Sequence, residues 1–157
     1  MAPDTTYYRP DLALVHHRGF GFHPDVCAPG ILERLKPIRE REGLVVELGC
    51  GSGLLTRHLL EAGHRVVATD ASPAVLDLAR EVAFDAEGIV QVVLPDDPLA
   101  DADAIVSLGH VLNYLTDEPA ITRALVSIAR ALRPGGILAI DSATSNGPRP
   151  DAMVQHR

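Results

Sequence analysis

Val46-Glu47-Leu48-Gly49-Cys50-Gly51-Ser52-Gly53 is the stretch on which the fold turns. An apolar run, Leu44 to Leu48, has strand length and ends abruptly in glycines. The segment after them places Leu55, Leu59 and Ala62 at helical spacing. Glycines between a strand and a helix let the chain turn tightly and leave N–H groups bare, where an anionic ligand group sits well. The spacing separates ligand classes. A dinucleotide fingerprint, G-x-G-x-x-G counted from Gly49, would need its third glycine where Leu54 stands. A phosphate loop ending in G-K-[ST] is excluded because Lys36, well outside this segment, is the single lysine. What remains is G-x-G-x-G with an acid, Glu47, just ahead of it.

Working outward, strand and helix patterns alternate. Asp25 is placed to cap a helix carrying Ile31, Leu32, Leu35 and Ile38 on one face, which Pro37 should kink or end. Gly63 should stop the helix after the glycine loop by taking a left-handed conformation. Arg65 to Thr69 reads as a second strand with Asp70 at its end. Ser72-Pro73 opens a helix with Val75, Leu76, Ala79 and Val82 buried. Ile89–Leu94 and Ala104–Leu108 read as the third and fourth strands. Thr116 to Pro119 opens a last helix, with Ile121, Leu125, Ile128 and Leu132 inward, and Pro134-Gly135-Gly136 turns into a fifth strand, Ile137–Ile140. Strands this uniformly apolar, alternating with amphipathic helices, predict an α/β fold: a parallel sheet of about five strands covered by helices on both faces. In such sheets ligands bind beyond the carboxyl ends of the strands. The residues to inspect are therefore Glu47 and the glycines, Asp70, then Leu94 and Asp96, then His110.

Composition narrows the function. The chain has 157 residues, 46% of them apolar, which suits one domain with a real core. A net charge of −7 disfavours a nucleic acid partner, since no basic stripe is available to meet phosphates. Cys27 and Cys50 match no metal spacing and read as reduced thiols, Cys50 as inert packing. His16, His17 and His23 invite a metal reading, but no carboxylate spacing completes a ligand set, so no metal is expected. There is neither a signal peptide pattern nor an apolar run of about 18 residues to span a bilayer. A cytoplasmic protein with no membrane partner is expected.

At four places in order the chain resembles the class I S-adenosylmethionine-dependent methyltransferases. Val46–Gly53 looks like that family's first motif, and Asp70-Ala71-Ser72-Pro73 like its second. Asp103–Ser107 through Leu112-Asn113-Tyr114-Leu115 looks like its fourth-strand motif, and Leu132-Arg133-Pro134-Gly135-Gly136 like the turn before strand five. The resemblance covers residues 25–141 and implies a Rossmann-like sheet of order 3-2-1-4-5. It implies S-adenosylmethionine as cofactor, with Glu47, Gly49, Gly51 and Gly53 holding the methionine end and Asp70 the ribose. Leu94 and Asp96 stand where the adenine would end, although the family often places an Asp directly after strand three. His110, following strand four where the methyl group should point, is the candidate cofactor contact and catalytic base. Tyr114 reads as packing, because an unperturbed phenol keeps its proton at neutral pH.

The implied activity is methyl transfer to a small-molecule acceptor. The alternative is a module that binds the cofactor without catalysis, or a truncated product that needs a partner. Three segments are expected: residues 1–24 as an N-terminal segment, either a lid over the cofactor or merely a loop, 25–141 as the cofactor-binding domain and 142–157 as an irregular tail. The family's later antiparallel strands are not in this sequence, so strand five is expected as an open edge without charge or proline, suited to homodimerisation or other association.

Overall fold

The computed structural model describes residues 22–143, together with Val15, Arg18 and Gly19. The expected tail beyond residue 143, His16 and His17, and most of the expected lid lie outside the described residues. Within them the chain runs α1 (Phe22–Glu40), β1 (Leu44–Leu48), α2 (Leu54–Glu61), β2 (Arg65–Asp70) and α3 (Pro73–Val82). It continues through β3 (Gly88–Gln91), β4 (Ala102–Ser107), a single 3-10 turn (Val111–Tyr114), α4 (Glu118–Ala131) and β5 (Leu132–Ile140). All pairings are parallel, as the apolar strands predict, and the order is β3-β2-β1-β4-β5, as the family resemblance implies. Strand order reverses between β1 and β4, and that is where a crevice opens.

Each face of the sheet buries its own apolar layer. On one side α1 and α2 bring Leu35, Ile38, Leu55 and Leu59 onto Val45, Val66, Ala104 and Val106. On the other, α4 sets Ala124, Ile128 and Ala131 against Val46, Leu48 and Ile105. The alternation along β1 between these two sets is the period-2 side-chain pattern of a strand covered on both faces.

Several local expectations shift. α1 begins at Phe22, ahead of Asp25, so Phe22, His23 and Pro24 belong to the helix. Pro37 does not end α1, which runs on to Glu40. Ser72 sits at the N-cap of α3 without a side-chain cap bond; the Asp70 carboxylate instead accepts from the Ser72 N–H at 2.9 Å. β3 is shorter than expected, stopping at Gln91, and β5 begins earlier, at Leu132, taking the Pro134–Gly136 turn into its span with an irregular register. The inward face of α4 is Ala120, Ala124, Ile128 and Ala131, while Leu125 stays 40% exposed. Alanines there let the helix lie close to the sheet, and the larger Leu125 is turned out. Gly63 does end α2 as expected: it has φ +86°, and the N–H groups of Gly63 and His64 bond back to Leu60 and Leu59.

Among the described residues β5 pairs only with β4, and its Leu138 and Ile140 are exposed. No helix among the described residues is long and apolar enough to cross a membrane.

Candidate cofactor and methyl-transfer site

The glycine loop leaves β1 through residues that need unusual backbone angles. Gly49, Gly51 and Gly53 have φ of +67°, +55° and +85°, the left-handed region that only glycine enters without strain. A Cβ on Gly49 would run into Val111, and one on Gly53 would press on the backbone of Ala79 at 3.3 Å. Gly51 differs, since a Cβ there meets nothing within 4 Å. Its backbone faces open space at the N-terminal end of α2.

Two carboxyl groups frame that space. Asp70, at the end of β2, accepts from the Gly51 N–H at 2.9 Å with one oxygen and from the Ser72 N–H at 2.9 Å with the other. It thereby ties the loop to the start of α3, and a carboxylate oxygen retains a second lone pair for a further donor. Glu47 lies lower, 2% exposed, and accepts a 2.6 Å hydrogen bond from the Thr56 hydroxyl on α2. Burial, aided by the nearby Asp70 charge and opposed by the Thr56 bond, pushes its carboxyl up to about 8. Cys50 is buried among Ala68, Leu76 and Ala79, and burial pushes its thiol well up, so it is inert packing as expected.

The crevice above the loop has a volume of about 380 Å³, within the roughly 300–1,000 Å³ range of small-molecule sites. Glu47, Gly49 and Gly51 line one wall; Leu108, Gly109 and His110, after β4, line another. His23 of α1 and Tyr114 complete the mouth. Tyr114, expected to pack, is 62% exposed there.

Glu47, the three glycines, Asp70 and His110 are thus gathered at the carboxyl end of β1, β2 and β4. Leu94 packs instead with the layer under α4. Asp96 lines a separate cleft between the β3–β4 connection and α4, with its carboxylate 3.7 Å from Arg123. Asp97, beside it, closes its own turn by accepting from the Val93 N–H at 2.8 Å.

Sequence reasoning missed Asp141. It directly follows β5 and accepts from the backbone N–H groups of Gly109 and His110 at 3.0 and 2.8 Å. Inspecting the residue after strand five, as was done for the other four, would have found it. Asn113 reinforces the same junction by a reciprocal pair of hydrogen bonds with the backbone of Ala143, at 2.9 and 3.0 Å.

The sequence profile of the methyltransferase domain matches residues 45–136. This chain belongs to the class I S-adenosylmethionine-dependent methyltransferase family. An uncharacterised methyltransferase of Mycobacterium tuberculosis is 35% identical over 115 residues, covering 71% of this chain and 44% of the relative. A malonyl-[acyl-carrier protein] O-methyltransferase of Serratia marcescens is 37% identical over 98 residues, 60% of this chain and 36% of that one. Among solved structures, the glycopeptide N-methyltransferase MtfA complexed with S-adenosylmethionine superposes with a TM-score of 0.65 at 28% identity, over 76% of this chain and 54% of that one. The chain therefore spans less than half the length of these two curated relatives.

Proposed function

We propose that this chain is a cytoplasmic S-adenosylmethionine-dependent methyltransferase, with residues 25–141 as its cofactor-binding unit. The observation that carries this reading is the open cradle at Gly51: a left-handed glycine with empty space where a Cβ would stand, its N–H bonded to Asp70 and Glu47 lining the same crevice. In this reading Glu47 and the Gly49–Gly53 backbone hold the methionine end, and Asp70 accepts from the ribose hydroxyls. Leu94 and Asp96 are assigned to the adenine side only by their place after β3, since Leu94 packs under α4 and Asp96 lines a separate cleft. S-adenosylmethionine, when bound, supplies a sulfonium methyl group that passes to an acceptor lone pair while the C–S electrons stay on sulfur.

The chain's own part is to position both partners and exclude water, which accounts for much of the barrier lowering in two-substrate reactions. His110 faces the crevice across from the glycine loop and is the candidate base for an acceptor that must lose a proton. The acceptor we infer is a small molecule. Its methylated atom is oxygen or nitrogen, the two atoms named for the relatives above. The exposed β5 edge, with Leu138 and Ile140, is in the same reading a surface for pairing with a second chain.

Titration calorimetry with S-adenosylmethionine, S-adenosylhomocysteine and NADH tests the cofactor assignment. Binding of either methionine compound, with no heat from NADH, is the expected result. Binding of NADH alone would overturn the reading.

A further inference from the structure

The mouth of the crevice holds two imidazoles that converge on one carboxylate. His110 Nδ1 lies 3.3 Å from Asp141 Oδ2, and His23 Nε2, from α1, lies 3.5 Å from the same oxygen. The two rings are 6.4 Å apart between centroids. His23 Nε2 is shut off from solvent and, among the described residues, makes no hydrogen bond, so its 3.5 Å approach to Asp141 Oδ2 is a contact between a carboxylate and an unsatisfied ring nitrogen. His110 is held in a left-handed conformation, φ +61°, which a residue with a Cβ seldom adopts. The Asp141 carboxylate stabilises that turn by accepting the backbone N–H groups of Gly109 and His110. A strained backbone whose neighbouring carboxylate also meets the ring is the arrangement by which a side chain is aimed.

We propose that Asp141 and His23 are positioning residues for His110, forming a His23–Asp141–His110 array that sets the tautomer of the candidate base. This deepens the methyltransferase reading above and rests on it. The physical argument concerns which ring nitrogen carries the proton. A carboxylate can only accept, so the His110 nitrogen facing it, Nδ1, must be the protonated one in the neutral ring. Nε2 then keeps its lone pair. An acceptor O–H or N–H that gains a methyl group loses a proton, and Nε2 takes it. The imidazolium so formed sits beside the Asp141 carboxylate, which offsets its charge, and later yields the proton to solvent. His23 presents the opposite nitrogen to Asp141, so its own neutral tautomer is Nε2–H. Its contact holds the carboxylate from the α1 side and makes α1 part of the site.

Burial tends to raise the Asp141 carboxyl, but the backbone bonds from His110 and Gly109 and the two imidazoles outweigh it and hold it below the ordinary carboxylate range. It is therefore an ionised acceptor at neutral pH.

Long-range proton–nitrogen NMR on the full chain labelled at histidine nitrogen reads tautomers directly and needs no methyl acceptor. Spectra of His110→Gln and His23→Gln assign the two rings. The expected result is opposed neutral tautomers, Nδ1–H for His110 and Nε2–H for His23, with His110 losing its preference in Asp141→Asn. An Nε2–H tautomer for His110 in the unmodified protein would overturn the array, whether or not Asp141→Asn folds. Failure of the unmodified chain to bind S-adenosylhomocysteine would overturn the methyltransferase reading instead, so the two are told apart.

Discussion

The Thr56 hydroxyl donates to Glu47 beneath the glycine loop, and both side chains are buried. Because burial pushes the Glu47 carboxyl up to about 8 from the ordinary 4.5, the folded protein keeps a proton there that the unfolded chain has released. The folded state binds more protons in that window, so stability falls as pH rises through it and levels off above about 8. The slope is at most about 1.4 kcal/mol per pH unit. Glu47→Gln carries no such proton, and its melting temperature should gain on that of the unaltered protein between roughly pH 5 and pH 8. Parallel melting curves across that range would contradict the assignment.

Asp70 holds two backbone N–H groups, those of Gly51 and Ser72. Asp70→Ala strands both donors and removes the proposed ribose acceptor. We expect a loss of about 1–3 kcal/mol in S-adenosylhomocysteine affinity, with a lowered melting temperature. Asp70→Asn keeps a carbonyl acceptor and should recover part of both. Calorimetry and melting on the same samples check this, and unchanged affinity in a folded Asp70→Ala protein would remove Asp70 from the site.

The glycines of the loop should separate by consequence. Gly49→Ala brings a Cβ into Val111, so the fold should suffer. Gly51→Ala has room for its Cβ and incurs only the left-handed strain, of order 1–2 kcal/mol. That methyl group projects into the open cradle, so Gly51→Ala should fold yet lose cofactor affinity. Circular dichroism melts paired with calorimetry distinguish the two outcomes; equal affinity in Gly51→Ala and the parent chain would show that the cradle is not the cofactor seat.

Along α4, Ala124 is fully buried against the sheet and Leu125 is 40% exposed. Ala124→Leu must overpack the layer over Val46 and Ile105, costing about 1–3 kcal/mol. Leu125→Gln should stay within about 1 kcal/mol of the parent. Denaturant midpoints measure both, and the reverse order would mean that the helix presents its other face.

The α4 result shows where reading the sequence alone reaches its end. Ile121, Leu125, Ile128 and Leu132 form the more apolar stripe, yet Ala120, Ala124 and Ala131 lie inward with Ile128. Periodicity identifies a helix and its approximate face, but side-chain size at the contact decides how closely helix and sheet approach. Small residues won that contact here. The start of α3 was legible, with Ser72 at the N-cap and Pro73 at the first position, but the bond from the Ser72 N–H to Asp70 was not.

The sheet order was implied by the family resemblance; the sequence by itself determined the alternation of strands and helices, the loop that turns after β1 and the acids at Glu47 and Asp70. These depend on local matters: apolar runs of strand length, helical spacing, and glycines where the backbone must go left-handed. Only the tertiary structure decided that Asp141 meets His110 and His23, and that Asp96 turns to Arg123. These residues belong to segments far apart in the chain, and no spacing rule relates them. They meet because parallel strands end together at one edge of the sheet, so the residues that follow β4 and β5 become neighbours once the strands pair, and α1 packs close enough to add its own.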